Sequence, residues 1–321
     1  MRKIGMCMAV MMGAVLWCTC SASAQTPQEL LAVHEGMNNA LNAHDVDEMM
    51  AYFTDDAVED VVALPPPATG KAEVAAFFAG FFKGFPDLNV TQRRILVSGN
   101  IMVTECTMTG THQGEWMGIP PTGKRIQHIH MDVLEYEGTK IKRATLYADL
   151  VSLMVQLGVM PASELPPFVP SFTLPAPEPT TLPPLEAFAE ANARWNAHDV
   201  SGFAKLVHPN ADYMVAALGV PMNRDAFVGS QEMYLLAFPD LGFETSRSLD
   251  LGDGWVLSEV VISGTQNGPY FGIPPTGRRS RVRAALLARF EAGLLTREYI
   301  YFDRVWLFYD DGVFGFQRFL G

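Results

Sequence analysis

His128, His130 and Asp132 alternate along one apolar stretch of this chain, and Arg143, Thr145, Tyr147 and Asp149 alternate along the next. Residues two apart on an extended backbone project to the same side, so each stretch presents a row of titratable groups to one face. Imidazoles titrate nearest neutrality, and a carboxylate beside an arginine stays ionised. Together they can take a proton from one atom and return it to another. With His130 and Asp149 facing one cavity from adjacent strands, one could take a proton while the other orients or donates. The plainer reading is an Arg143–Asp149 ion pair that merely orders its strand. His128, His130 and Asp132 also have metal-ligand spacing, but the sequence identifies no ligand from a further strand, and His112 sits at a loop edge. The expectation is therefore no metal and no cofactor, with Cys106 a buried small side chain.

The chain contains this unit twice. Gly118-Ile119-Pro120-Pro121-Thr122-Gly123 returns letter for letter as Gly272-Ile273-Pro274-Pro275-Thr276-Gly277, 154 residues later. The same offset aligns Asn42-Ala43-His44-Asp45-Val46 with Asn196-Ala197-His198-Asp199-Val200, and Tyr147 and Asp149 with Tyr301 and Asp303. Two copies of about 130 residues make a pair of domains rather than a solenoid. The copies differ where the chemistry lies: Val282, Ala284 and Leu286 replace His128, His130 and Asp132. The first half carries the titratable face, and the second is an apolar binding module or an inactive partner.

The elements that position these residues follow from periodicity. A helix from Thr26 to Ala43 is capped by Thr26 and opened by Pro27. A short helix starts at Asp45, which pairs with Glu48 in the manner of a capping box, and His44 belongs to the corner between the two helices. A third helix over 71–83 carries Val74, Phe77, Phe78, Phe81 and Phe82 at core spacing. From Asn89 the period falls to two, predicting strands over 89–97, 101–111, 125–136 and 139–151 joined by tight turns at Gly99 and Gly138. The repeated hexapeptide forms a rigid loop, with Trp116 and Ile119 placed to line a pocket mouth. Helices followed by an antiparallel meander define an α+β fold.

Arg2 and Lys3, the apolar run from Ile4 to Trp17 and Ala22-Ser23-Ala24 read as a secretory signal over residues 1–24, which predicts a periplasmic or secreted protein. Cleavage leaves Cys106 as the single cysteine, so no intramolecular disulfide is expected. The signal takes Arg2 and Lys3 with it, bringing 23 basic residues to 21 against 35 acidic ones, a formal charge of −14. That balance argues against nucleic acid and anionic membrane as partners. The first domain is expected over 25–160 and the second over 185–321. Between them, residues 161–184 form a Pro-rich linker of extended, semi-rigid kind.

With these residues assembled, each half resembles the SnoaL-like polyketide cyclase (ester cyclase) family within the NTF2-like superfamily. The resemblance is carried by the Asn-x-His-Asp corner and by Phe85-Pro86-Asp87-Leu88 with its counterpart Phe238-Pro239-Asp240-Leu241. It extends to the hexapeptide followed by Lys124 or Arg278, to a final strand ending in Asp149 or Asp303, and to Gln156-Leu157-Gly158. It implies two cone-shaped α+β barrels in tandem, each enclosing an apolar pocket. It further implies ring closure by aldol condensation without cofactor or metal, with the last-strand carboxylate, Asp149 and in the second half Asp303, as acid/base. Arg143-x-Thr145 and Arg297-x-Tyr299 stand where the family commonly has Glu-x-Trp. The function expected is cofactor-free acid/base chemistry on a small apolar carbonyl compound, sited mainly in the first domain. Asp149, His130 and His128 are the expected catalytic groups, and Arg143, Tyr147, Trp116, Asp132, Tyr301 and Asp303 the substrate-binding ones. The alternatives are a module that captures an apolar small molecule, or an interaction domain. The two copies are placed to pair through their sheets as a pseudo-dimer within one chain.

Overall fold

The computed structural model describes residues 25–64, 66–162, 167–216, 219–270 and 273–304, so the signal assigned to residues 1–24 lies outside the described residues. Domain 1 runs α1 (Pro27–Asn42), α2 (Val46–Ala51), β1 (Phe53–Val61), β2 (Ala68–Thr69), α3 (Lys71–Gly84), β3 (Asn89–Ser98), β4 (Ile101–Thr111), β5 (Arg125–Glu137), β6 (Lys140–Tyr147) and α4 (Leu150–Gln156). Domain 2 repeats the order with α5 (Pro184–Asn196), α6 (Val200–Ala204), β7 (Val207–Val215), β8 (Val220–Met222), α7 (Arg224–Ala237), β9 (Gly242–Gly252), β10 (Trp255–Thr265), β11 (Arg279–Glu291) and β12 (Leu294–Phe302). The two six-stranded sheets have the orders β2-β1-β6-β5-β4-β3 and β8-β7-β12-β11-β10-β9. In each, the first long strand pairs in parallel with the last, β1 with β6 and β7 with β12. The fold is a tandem of two α+β domains.

Local chemistry sets the helix starts. Thr26 and Glu29 close a reciprocal capping box around the first turn of α1, satisfying amides that the helix itself leaves unpaired. Asp45 accepts from the amide of Glu48 at 2.9 Å. His44 takes φ +58° between the two helices, and its Nε2 lies 2.8 Å from the carbonyl oxygen of Leu88. His198 repeats both features, φ +56° and 2.8 Å to Leu241. The corner histidine ties helix to sheet in both domains.

The last strand ends earlier than its alternation predicts. β6 stops at Tyr147, and Asp149 caps α4, accepting from the amide of Ser152 at 2.9 Å. A carboxylate two residues past a strand end satisfies free helix amides better than it continues a ladder. The face shared by Arg143, Thr145 and Tyr147 also points away from the interior of its own domain. It meets domain 2. Val103, Met131, Val133 and Tyr147 form one apolar cluster with Trp255, Leu257, Leu287, Tyr299 and Tyr301.

Polar contacts around that cluster repeat across the two domains. The Tyr147 hydroxyl donates to Glu259 at 2.7 Å, and Glu259 also accepts from Arg247 Nε at 2.6 Å. In the reciprocal set Tyr301 donates to Glu105, which also accepts from Arg94, and the Arg94 guanidinium lies 4.3 Å from the Trp255 ring centre. Asp60 accepts from Arg283 at 3.0 and 3.1 Å and from Arg143. Asp149 accepts from the backbone amide of Arg304 at 3.0 Å and from its guanidinium at 2.6 Å, while Asp303 accepts from the Leu150 amide at 3.3 Å. Arg143, Tyr147, Tyr301, Asp149 and Asp303, expected around a substrate, therefore occupy the contact between the domains. An outward sheet face with ionic groups needs partners, and the second copy supplies them.

The linker is likewise not a free spacer. Ser171 donates to Glu232 from its amide at 2.6 Å, Arg224 donates to the carbonyl of Pro175 at 2.6 Å, and the amides of Glu178 and Thr180 donate to Lys205 and Ala292, both at 2.8 Å. A Cβ on Gly229 would stand 2.8 Å from the Val169 backbone, so the close approach of this strap to α7 requires glycine there.

Asp149 and Arg304 are both buried, and removing one partner of such a pair strands the other charge. Asp149→Asn is therefore expected to lower unfolding free energy by about 3 kcal/mol, measured by urea denaturation. A change below about 0.5 kcal/mol would show that the pair does not hold the domains.

Candidate functional site

A cavity of about 120 Å³ opens between α1, α3 and the inner face of the domain 1 sheet. Its walls are mainly apolar: Phe53, Phe77, Phe78 and Phe81 meet Leu134, Ile141 and Trp116. Trp116 is held by a bridge to Ile119 within the hexapeptide loop, which places it on the cavity as expected. His112 is instead a staple of that loop, with Nδ1 3.1 Å from the Thr122 hydroxyl and its ring stacked on Phe85.

Into this apolar enclosure four strands and one helix project polar groups. Gln92 on β3 pairs across with Cys106 on β4, and Cys106 with His130 on β5. His128 and Asp132 flank His130 on the same face, His34 enters from α1 and Glu59 from β1, and among the described residues neither lysine nor arginine lines the cavity. The sequence reading thus located His128, His130 and Asp132 together. It missed Glu59, His34 and Gln92. Glu59 had a legible signal, since it alternates with Ala57 and Val61 on an otherwise apolar face.

Burial dominates the electrostatics. Asp132 is pushed up to about 6 by desolvation, although the Thr104 hydroxyl donates to it at 3.2 Å. Glu59 is raised well above the usual carboxylate range, first by burial and then by the charges of Asp132 and Asp60. The molecule thus holds one carboxylic acid neutral and another poised near neutrality. His128 and His130 are both driven down to about 4 by burial, His128 further by its neighbour, with the nearby charge of Asp149 opposing. Their rings stack 6.4 Å apart. His34 is lowered by burial, with Asp132 opposing. Both ring nitrogens of His34 and Nε2 of His128 lack a hydrogen-bond partner among the described residues. At pH 7 the histidines are neutral. Asp149 does not line the cavity, and neither do Arg143 and Tyr147.

Domain 2 fills the corresponding space. Trp195 replaces Leu41 and stacks on Phe243 with centroids 3.9 Å apart, while its indole donates to Gln231 at 2.6 Å. Tyr213 replaces Glu59, stacks on Phe227 at 3.8 Å and donates to the carbonyl of Leu295 at 2.9 Å. A cavity of about 50 Å³ remains, with Val282 in its wall. One buried carboxyl, Glu298, persists nearby and is pushed up to about 8 by burial.

This chain belongs to the SnoaL-like polyketide cyclase family: the family model matches residues 32–157 and again 186–310. Similar solved structures include a protein assigned as a SnoaL-like polyketide cyclase from Jannaschia sp. CCS1, at 20% identity over 43% of this chain and 98% of its own, with a TM-score of 0.40. AclR from Streptomyces galilaeus, assigned as a hydroxylase, is 26% identical over 42% of this chain and 100% of its own, with a TM-score of 0.39. IdmH from Streptomyces antibioticus, assigned as a polyketide cyclase, is 24% identical over 40% of this chain and 98% of its own, with a TM-score of 0.36. No curated protein matches the chain in sequence.

Asp132 makes stability depend on pH in a defined sense. Its folded pKa of about 6 lies above the ordinary 3.8, so folding favours the protonated form. The contribution is full below pH 3.8 and is lost as pH rises through about 6, a difference of about 3 kcal/mol. Asp132→Asn is therefore expected to stabilise the protein at pH 8 by up to about 3 kcal/mol and to leave it unchanged at pH 3.5. His128 and His130 act in the opposite direction: the stability that rests on their neutrality is present above pH 6.5 and lost as pH falls through about 4. Chemical denaturation of wild type and variant across this range checks both signs.

Proposed function

We propose that domain 1 catalyses cofactor-free proton transfer on a small apolar carbonyl compound, with Asp132 as the base. One observation carries this reading: two buried carboxyl groups share an apolar cavity, and their environments hold one neutral and bring the other to about 6. Asp132, ionised above that pH, takes a proton from the carbon beside the carbonyl. Glu59, still protonated, donates a hydrogen bond to the carbonyl oxygen as negative charge develops there. The neutral imidazoles of His128, His130 and His34 add polar contacts without charge, and the aromatic walls exclude water. The resulting enolate is the nucleophile that a ring-closing condensation needs, and the family to which the chain belongs supports a cyclase-like or binding role. Asp149, the base expected from sequence, is engaged by Arg304 and Ser152, which is why the proposal moves to Asp132. The volume restricts the enclosed portion of the ligand to about one ring, since an engineered cavity of about 150 Å³ holds benzene.

The test is exchange of the ring protons beside the carbonyl of 2-indanone in deuterated buffer, followed by NMR. Wild type is expected to accelerate exchange, with a rate rising tenfold per pH unit below about 6 and levelling above it. Asp132→Asn should lose about 100-fold or more, and Glu59→Gln, which can still donate, should lose less. Saturable binding of 2-indanone without exchange would reassign the cavity to ligand capture.

A further inference from the structure

The sequence left the paired histidines of β5 without a ligand from another strand, and the fold supplies one. Gln92, Cys106 and His130 are direct neighbours across β3, β4 and β5, so their side chains reach the cavity at one level, with Asp132 one pleat further along. Cys106 Sγ, His130 Nε2 and an Asp132 carboxylate oxygen all lie within 4.8 Å of one another. Nε2 is 3.6 Å and Sγ 3.8 Å from Asp132 Oδ2, and Gln92 Oε1 is 3.2 Å from Sγ. Tetrahedral zinc, with bonds of about 2.0–2.3 Å, sets its ligand atoms about 3.4–3.6 Å apart. Two of the three separations stand close to that spacing, and the third lies within 4.8 Å.

We propose that Cys106, His130 and Asp132 bind one Zn²⁺-like, borderline-soft divalent cation, with Gln92 Oε1 or the ligand of the cavity in the fourth position. The donor set of one sulfur, one imidazole and one carboxylate selects Zn²⁺ over the hard cations Mg²⁺ and Ca²⁺, which prefer oxygen alone. Charge closes at the site: thiolate and carboxylate supply two negative charges against the dication, and among the described residues no lysine or arginine of the cavity wall competes. Binding replaces the thiol proton, which leaves to solvent. His130 must carry its own proton on Nδ1 to offer Nε2. The Thr104 hydroxyl, 3.2 Å from Asp132 Oδ2 and 3.5 Å from Cys106 Sγ, touches two of the donors and helps hold them in place. The cation occupies the oxygen that the proton-transfer reading assigns to the base, so the metal-loaded and proton-transferring states exclude each other.

The experiment uses the full chain freed of metal by a chelator. Co²⁺ is added and the absorption spectrum recorded, and Zn²⁺ is then titrated in competition with a chromogenic chelator. One equivalent is expected, together with a thiolate-to-cobalt charge-transfer band and the visible bands of a tetrahedral site. Loss of an outer-shell contact weakens metal sites about 10–100-fold, so Cys106→Ser and His130→Ala, as losses of ligands, should exceed about 100-fold. His208→Ala, outside the cavity, should leave affinity unchanged. A cobalt spectrum lacking the thiolate band, absence of binding, or equal affinity in wild type and a folded Cys106→Ser would each overturn the site. The cobalt spectrum is read on wild type, so a variant that misfolds does not shield the proposal. Zn²⁺ bound at this site that left 2-indanone exchange untouched would instead overturn the role of Asp132 as base.

Discussion

Everything else in the molecule depends on the reciprocal tyrosine–glutamate contact between the two sheets. Tyr147 reaches Glu259 and Tyr301 reaches Glu105, each carboxylate also held by an arginine of its own domain. These groups sit on outward faces that a lone domain would leave in water. Once the outward faces are covered by each other, the inward faces need only close over a core. That separation allows an apolar cavity to persist in domain 1 while the charged residues of the chain are used elsewhere. An arginine pointing into the cavity would favour the ionised form of Asp132 and pull its pKa down, removing its poise near neutrality.

The two domains show what a cavity of this kind requires by showing how it is removed. Trp195 and Tyr213 occupy in domain 2 the space left open by Leu41 and Glu59, and each finds both a stacking partner and a hydrogen-bond acceptor. Large aromatic side chains with a satisfied polar atom fill space at little electrostatic penalty. In domain 1 the smaller and ionisable side chains leave a gap, and desolvation acts on whatever lines it. The pKa shifts of Glu59, Asp132, His128 and His130 have one common origin, burial, and differ in sign only because acids and bases respond oppositely to it.

Much of the fold was legible because periodicity and caps are local. The capping box at Thr26, the corners at His44 and His198 and the strand pattern from Asn89 onward all follow from neighbours in sequence. The tandem α+β arrangement followed from the repeat. The inward placement of His128, His130, Asp132 and Trp116 was also readable, from alternation and from the loop. What alternation cannot tell is which side of a sheet faces the core. Arg143 and Tyr147 looked like part of a pocket face because the second copy keeps them as Arg297 and Tyr301, yet the demand that both tyrosines meet is pairing between the copies. Asp149 was assigned to a strand because nothing local distinguishes a strand's last residue from a helix cap two residues later. His34 reaches the cavity through the seating of α1, a contact too distant in sequence for any window to register, whereas the place of Glu59 was signalled by its alternation with Ala57 and Val61.

The strap from Val169 to Thr180 alters how strongly the domains are joined. Because it is fastened along domain 2 by Glu232, Arg224, Lys205 and Ala292, little of the proline-rich stretch is left as slack. A short tether presents each sheet to the other at millimolar effective concentration whatever the amount of protein in solution. An assembly of two separate chains comes apart on dilution; here the partner travels with the site, so dilution leaves the outer face of each sheet covered.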